Sequence, residues 1–289
     1  MKDMPELPGL LRFPVARRFM MTGLMSGLTL ATARVEAQVI HTDTAGIDTG
    51  EVAVPVADGG VPTYYARPRG DGPFPIVLVN EEIFGVHDYI KDICRRLAKA
   101  GYLAVAPEIY ARIADLSKMT DFTNIFRDVV SRTPDATVLS DLDAAVAWAA
   151  ANKGDAARVG VVGFCRGGRN TWLYAAYSPT VKAAVAWYGP VAGPTSDIQP
   201  RTPTDLAGDL HGPLLGLYGG KDSGIRLEDV QAAAAKARAA GRTVEIVVYP
   251  QAPHGFHADY RPSYRQEDAE DAWKRAVAWF HRFGVMPAG

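Results

Sequence analysis

Cysteine is almost absent from this chain, which holds two, Cys94 and Cys165. That excludes a disulfide scaffold, and no Cys/His cluster has zinc-ligand spacing, so no metal is expected. An excess of one charge is missing as well. The 31 Lys and Arg stand against 32 Asp and Glu, for a formal net charge of -1. Acids and bases are mixed along the chain, which leaves no basic footprint for nucleic acid and no polybasic patch for a membrane surface. Internal repeats and low-complexity tracts are also lacking. What is present is ordinary for a soluble globular protein: 48% hydrophobic and 22% charged residues in a chain of 289, long enough to bury a substantial core.

One apolar run carries no charge. Residues 19–33 follow Arg17-Arg18 and precede Val35-Glu36-Ala37. The run is too short and too rich in Gly and Thr to span a bilayer stably, so no stable membrane anchor is expected. Paired arginines, a mildly apolar stretch and a small-x-small site resemble a twin-arginine export signal. Residues 1–37 are therefore expected to direct export, to the periplasm or beyond. The alternative is an N-terminal extension packed on the domain of a cytoplasmic protein.

Beyond it, strand and helix patterns alternate. Residues 51–56 and 62–68 read as strands around the hairpin signal Asp58-Gly59-Gly60, with prolines that suit a sheet edge. Residues 74–80 form a continuous apolar run, as a strand buried on both faces requires. A helix over 88–100 closes at Gly101, with Cys94 on its core side. Further strands are expected at 102–107, 159–163, 181–188, 213–218 and 243–249. Further helices are expected at 140–151, 169–176, 227–240 and 265–283. Residues 109–135 read as an excursion over the sheet with a short helix around 122–130, and 189–212 as a proline-bearing loop over the sheet's end. The alternation implies an α/β fold: a single domain over residues 45–285, with a mostly parallel central sheet and helices on both faces. Such sheets bind ligands outside the carboxyl ends of their strands.

At the centre of this pattern stands Gly163-Phe164-Cys165-Arg166-Gly167. A Gly-x-nucleophile-x-Gly turn between strand and helix holds its middle side chain over the end of a sheet, and its flanking residues must be small for the backbones to pass. A thiol at the positive end of a helix favours the thiolate, and Arg166 adds a positive charge. A lone cysteine can equally be a small buried hydrophobe, so the residues downstream matter. The strand at 213–218 runs into Gly219-Gly220-Lys221-Asp222, and the strand at 243–249 runs into a loop carrying His254-Gly255. Nucleophile, acid and base in that order are the α/β-hydrolase arrangement. Histidine passes a proton near neutrality, and the acid fixes its tautomer. Asp222 also suits an ordinary turn, and His257 lies close by; His254 is preferred because it follows its strand directly and precedes glycine. His41, His87, His211 and His281 have no comparable context. Asn80-Glu81-Glu82-Ile83-Phe84-Gly85 follows the strand at 74–80, at the same sheet end. In this fold that loop supplies one oxyanion-hole N–H and the residue after the nucleophile supplies the other, which assigns Ile83 and Arg166.

Taken together, Glu82-Ile83-Phe84-Gly85, Gly163 to Gly168, Trp187-Tyr188-Gly189, Asp222 and His254-Gly255-Phe256 resemble the dienelactone hydrolase family over residues 51–283. The resemblance implies an α/β-hydrolase fold, no metal or organic cofactor, and hydrolysis of an enol-lactone by Cys165, His254 and Asp222. It implies that Glu82 contacts the resting thiol and helps to remove its proton. It places Phe84 and Tyr188 beside the substrate. Members acting on dienelactone hold the substrate carboxylate with arginines, one of them shortly after the catalytic histidine. That position is Ala258 here, which leaves Arg261 or Arg127 for the task. The expected partner is a small lactone or ester, met by a monomer or small homo-oligomer. A broader carboxylesterase of the same fold is the alternative, and a non-catalytic binding protein a more distant one.

Overall fold

Phe74-Pro-Ile-Val-Leu-Val-Asn80 has no alternation that would give one face to water, and the computed structural model, which describes residues 39–287, places it mid-sheet. The expected export segment, residues 1–37, lies outside the described residues. Eight strands are described: β1 (Ile47–Val56), β2 (Gly59–Pro68), β3 (Phe74–Asn80), β4 (Leu103–Pro107), β5 (Gly154–Phe164), β6 (Val181–Trp187), β7 (Leu214–Gly219) and β8 (Val244–Tyr249). They form one sheet in the order β1-β2-β4-β3-β5-β6-β7-β8. The β1–β2 and β2–β4 pairings are antiparallel and the others parallel. Successive residues of a strand point to opposite faces. Residues 75–80 of β3 and all of β4 are buried, so both faces of the sheet are covered.

The covering helices are α1 (Asp88–Lys99), α2 (Phe122–Asp128), α3 (Asp135–Ala151), α4 (Arg166–Tyr177), α5 (Pro203–Leu206), α6 (Leu227–Ala239) and α7 (Gln266–Arg282). On α1, Ile90, Ile93 and Leu97 recur at helical spacing and are buried, each worth about 1.5–3 kcal/mol of apolar burial. Cys94 lies among them, and burial pushes its thiol far above the ordinary range. It is a core residue.

Strands β1 and β5 and helix α4 begin earlier than the sequence reading gave them, and the expected loop over 189–212 contains α5. Three further departures have a visible cause. The hairpin turns at Ala57-Asp58, and Gly59 and Gly60 already belong to β2, paired with Val56 and Pro55. Helix α3 begins at Asp135 rather than Ser140. Its first turn contains Thr137 and Val138, weak helix formers, and is held by tertiary contact: Asp135 accepts two hydrogen bonds from the buried Arg169 guanidinium, at 2.7 and 2.8 Å. The excursion after β4 is more ordered than expected. Its 3-10 turns and α2 build a small second core of Tyr110, Leu116, Ile125, Val129 and Val130 around Ile83, with Phe84 at its margin. The loop after β3 is thereby fixed from outside.

Candidate active site

Strand β5 ends at Phe164 and α4 begins at Arg166, so Cys165 must turn the chain alone. It does so at φ 56° and ψ -118°, a region that L-residues occupy only under strain. The flanking glycines are a steric necessity. A Cβ on Gly163 would lie 2.2 Å from the Gly167 carbonyl oxygen, and one on Gly167 would lie 2.3 Å from the oxygens of Asn80 and Glu81. The Cys165 N–H donates to the Trp187 carbonyl at 3.0 Å, which ties the turn to β6. Asn80 Nδ2 donates to Thr171 Oγ1, which in turn donates to the Gly167 carbonyl. The end of β3 is thus clamped to α4.

Asp222 and His254 stand beyond β7 and β8, at the same sheet end as Cys165. Asp222 Oδ2 lies 2.7 Å from His254 Nδ1, while Asp222 Oδ1 accepts from the N–H groups of Gly224 and Ile225 at 2.8 and 3.2 Å. The carboxylate is therefore aimed, with only one oxygen left for the imidazole. His254 Nε2 meets no hydrogen-bond partner among the described residues. Burial opposes charge on this ring, but the neighbouring Cys165 sulfur and then Asp222 outweigh it and push His254 up to about 10. The Cys165 sulfur therefore lies beside the imidazole, close enough to act on it directly. His257 is a different kind of residue. Its Nδ1 is 2.6 Å from the Tyr89 hydroxyl, its ring lies 4.3 Å from that of Trp187, and burial, then Arg96, hold it well below the ordinary range.

Arg166 opens α4, where the first N–H groups have no intrahelical acceptor. Among the described residues neither it nor Ile83 gives its N–H to a backbone carbonyl. The Arg166 guanidinium reaches Gln199 at 2.7 Å.

Glu82 is fully buried, and the structure gives it other company than the thiol. Its Oε2 accepts from the Tyr260 hydroxyl at 2.5 Å and lies 3.5 Å from His87 Nε2; its Oε1 lies 3.0 Å from Arg261 Nη2. Among the described residues no hydrogen bond joins it to Cys165. Burial alone would raise Glu82, but Arg261, His87 and Tyr260 bring it down to about 2. A buried carboxylate gains more from a guanidinium than from a neutral thiol, which accounts for the difference from the expected thiol contact. Arg261 Nε also donates to the Tyr260 oxygen at 2.9 Å, and its guanidinium lies over the rings of Phe84 and Tyr260 at 5.2 and 5.1 Å. Tyr188 adopts a φ of 36°, packs edge-on against His254 at 5.1 Å and holds its hydroxyl buried near that of Tyr89.

The structure therefore brings together Cys165, Asp222, His254, Glu82, Ile83, Phe84, Arg166, Tyr188 and Arg261. It does not bring in Arg127, and that expectation is corrected: the side chain is exposed on α2 and its guanidinium is spent on Asp128 and Asn124. Ala258 is buried and carries no charge to the site. Sequence reasoning missed Tyr260 and His87. One signal was available for His87. It occupies the N-cap of α1, where Ser, Thr, Asp or Asn would be usual, and its side chain does not cap. A cavity of about 390 Å³ lined by Glu51, Tyr64, Lys91, Glu108 and Asp115 contains none of these residues; chemistry, not volume, marks the site. Among the described residues no group of three or more His, Cys, Asp or Glu is placed to hold a metal ion, and no helix is long and apolar enough to cross a membrane.

The sheet order and elbow are those of an α/β-hydrolase. An esterase from Pyrobaculum calidifontis superposes with a TM-score of 0.61 at 18% identity, covering 94% of this chain and 93% of its own, which speaks for the fold. A crystal structure of a provisionally named dienelactone hydrolase from Klebsiella pneumoniae gives a TM-score of 0.80 at 52% identity, covering 82% of this chain and 99% of its own. A protein of Methylorubrum extorquens, provisionally named a carboxymethylenebutenolidase, is 55% identical over 271 residues, 93% of either chain. One of the same name in Escherichia coli is 47% identical over 266 residues, 92% of this chain and 98% of its own. Since the dienelactone hydrolase family model itself matches residues 61–284, from β2 to the end of the last helix, the chain belongs to the dienelactone hydrolase family.

Proposed function

We propose that the protein hydrolyses small lactones or carboxylic esters through a thioester on Cys165. The observation that carries this reading is the 2.7 Å contact of His254 with Asp222 beside a cysteine on a strained strand-to-helix turn. The names of the relatives support a lactone or ester bond as the target. Cys165 Sγ, its proton passed to His254, attacks the carbonyl carbon. The N–H groups of Ile83 and Arg166 receive the oxyanion. Collapse breaks the bond to the leaving oxygen, which takes the proton from His254, and a thioester remains. A water then gives a proton to His254 and attacks the thioester carbon; collapse releases the carboxylic acid and restores Cys165. Asp222 holds the imidazole in the required tautomer throughout. In this reading Glu82 fixes Arg261 and Tyr260 at the edge of the substrate.

A broader carboxylesterase is the second reading, favoured by one observation. The only arginine drawn to Glu82 among the described residues, Arg261, is already matched by that carboxylate, and Ala258 offers no second cation. The test is turnover of an activated aryl ester and an enol-lactone by wild type and Cys165→Ala, with intact-mass detection of the acyl adduct. Loss of at least ~10³-fold in the variant is expected. Equal turnover by both proteins would remove Cys165 as nucleophile.

A further inference from the structure

The segment that follows β4 and the segment that follows β6 are remote in sequence and meet at one side chain. Gln199, half-buried in the second segment, uses both ends of its carboxamide. Its Oε1 accepts from Arg166 Nη2 at 2.7 Å, and its Nε2 donates to the carbonyls of Val130 and Thr133, both at 2.8 Å. Its backbone is fixed as well: the Gln199 N–H donates to the Ser196 carbonyl at 3.1 Å, and the Ser196 N–H to the Gln199 carbonyl at 3.0 Å. A carboxamide is donor and acceptor at once. Glutamate would have no donor for the two carbonyls, and lysine no acceptor for the guanidinium.

What Gln199 joins is the frame around the two amides assigned to the oxyanion. On one side Arg166 presents its N–H from the first turn of α4. On the other, Val130 belongs to the small core packed around Ile83, whose N–H is the second donor. Two donors from separate elements must converge to about 2.7–3.1 Å from one oxygen, so the distance between their elements has to be held. Burial, then the neighbouring Arg169, disfavour charge on Arg166. A guanidinium deprived of its acceptor there must turn toward water, and the residue it turns is the one whose N–H faces the oxyanion.

A second link runs beside the first. Arg169, one turn along α4, holds the Asp135 carboxylate at 2.7 and 2.8 Å and the Arg201 carbonyl at 3.2 Å, and the Asp135 N–H donates to the Ile198 carbonyl at 2.9 Å. The side chains of this ion pair are 8% and 12% exposed, so breaking it would be costly to the fold. Both segments therefore stay attached to α4 when Gln199 is cut back. The two links divide the work: Arg169 ends on a carboxylate and carries stability, and Arg166 ends on a neutral amide and carries alignment.

We infer that Gln199 is a positioning residue for the ester hydrolysis proposed above, holding the Arg166 and Ile83 amides in register through Arg166 on one side and the turn at Val130–Arg132 on the other. The inference rests on that hydrolase reading and deepens it.

The test compares reactions that need the oxyanion amides with one that does not. Ester turnover needs them. So does an aryl trifluoromethyl ketone: Cys165 Sγ bonds to its carbonyl carbon, the thiol proton passes to His254, and the carbonyl electron pair moves onto oxygen. Alkylation of Cys165 by iodoacetamide displaces iodide and builds no oxyanion. In Gln199→Ala, kcat should fall about 10²-fold, the scale of a misplacement of about 1 Å, with KM nearly unchanged. Ketone affinity should fall by a similar factor. The alkylation rate should hold, and the melting temperature should stay within about 4 °C of wild type. Gln199→Glu keeps an acceptor for Arg166 but sets an oxygen against the Val130 and Thr133 carbonyls, so its kcat should lie closer to that of Gln199→Ala than to wild type. Unchanged kcat in Gln199→Ala would overturn the inference. So would equal losses of ester turnover and alkylation, because a loosened fold or a damaged nucleophile affects both. Should Gln199→Ala fail to fold, full activity in Gln199→Glu would overturn it as well. Undiminished ester turnover by Cys165→Ala would instead defeat the underlying hydrolase reading, a separate result.

Discussion

Glu82 shows how much a single buried charge can carry. A carboxylate with none of its surface in water is unfavourable unless cations and donors replace that water. Arg261, Tyr260 and His87 do so here. Burial would lift the group above its ordinary 4.5, yet these partners bring it to about 2. A carboxylate lowered in this way contributes stability that is present above its unfolded value and is lost as pH falls through the folded one. The window is therefore from about pH 4.5 down to about pH 2, and the contribution is on the order of 3 kcal/mol. Glu82→Gln leaves the buried Arg261 without its counter-charge, and the expected loss at neutral pH is about 3–5 kcal/mol. Urea unfolding of both proteins checks this. The variant should also show a shallower loss of stability than wild type on acidification through that window. If the two proteins are equally stable at neutral pH, the pair does not hold this loop in place.

At the scale of elements, the active-site end of the sheet depends on how closely β3, β5 and α4 approach one another. The close approach of α4 to β3 falls at Gly167, whose absent Cβ would sit 2.3 Å from two backbone oxygens at the end of β3. Gly167→Ala must push α4 away from β3. That separates the Ile83 and Arg166 amides and reshapes the turn at Cys165. A fall in kcat of about 10²–10³-fold is expected, the scale for losing one oxyanion-hole donor, together with about 1–3 kcal/mol of lost stability. Ester turnover and thermal unfolding measure the two effects; unchanged kcat would mean that neither amide depends on this contact. These elements were legible because strands covered on both faces read as unbroken apolar runs, and because Gly163, Cys165 and Gly167 are close in sequence. Asp222 and His254 were legible as the first suitable groups beyond their strands. The start of α3 was not, since its first turn rests on Arg169 rather than on propensity. The Glu82 cluster was not either: Tyr260 meets Glu82 across 178 positions of sequence, and no local pattern encodes such a meeting. Arg127 was misplaced for the related reason that its charge is spent on its own helix.

For the whole molecule the open question is what residues 1–37 contribute. The core of the domain is assembled between Ile47 and Val285, and the site between Glu82 and Arg261. The described chain is already anchored ahead of β1: the Thr42 N–H donates to Asp92 at 2.6 Å, Arg95 donates to the Thr42 carbonyl at 2.9 Å, and Lys99 meets Asp43 at 2.6 Å. A chain beginning at Gln38 keeps all of these contacts. If the first 37 residues act as an export signal, as we propose from their paired arginines and small-x-small site, their removal should leave kcat/KM unchanged. The melting temperature should then stay within about 2 °C of the full chain, because a loss of about 1 kcal/mol would already shift a domain of this size by ~2–4 °C. A larger fall, with no change in the ester selectivity, would identify the segment as an extension packed on the domain. Fractionation separates the two roles independently. An export signal predicts a periplasmic protein whose N-terminus follows Ala37, and Arg17→Lys with Arg18→Lys should hold the uncut chain in the cytoplasm; an intact N-terminus in the wild-type cytoplasmic fraction, with nothing in the periplasm, would reject that role.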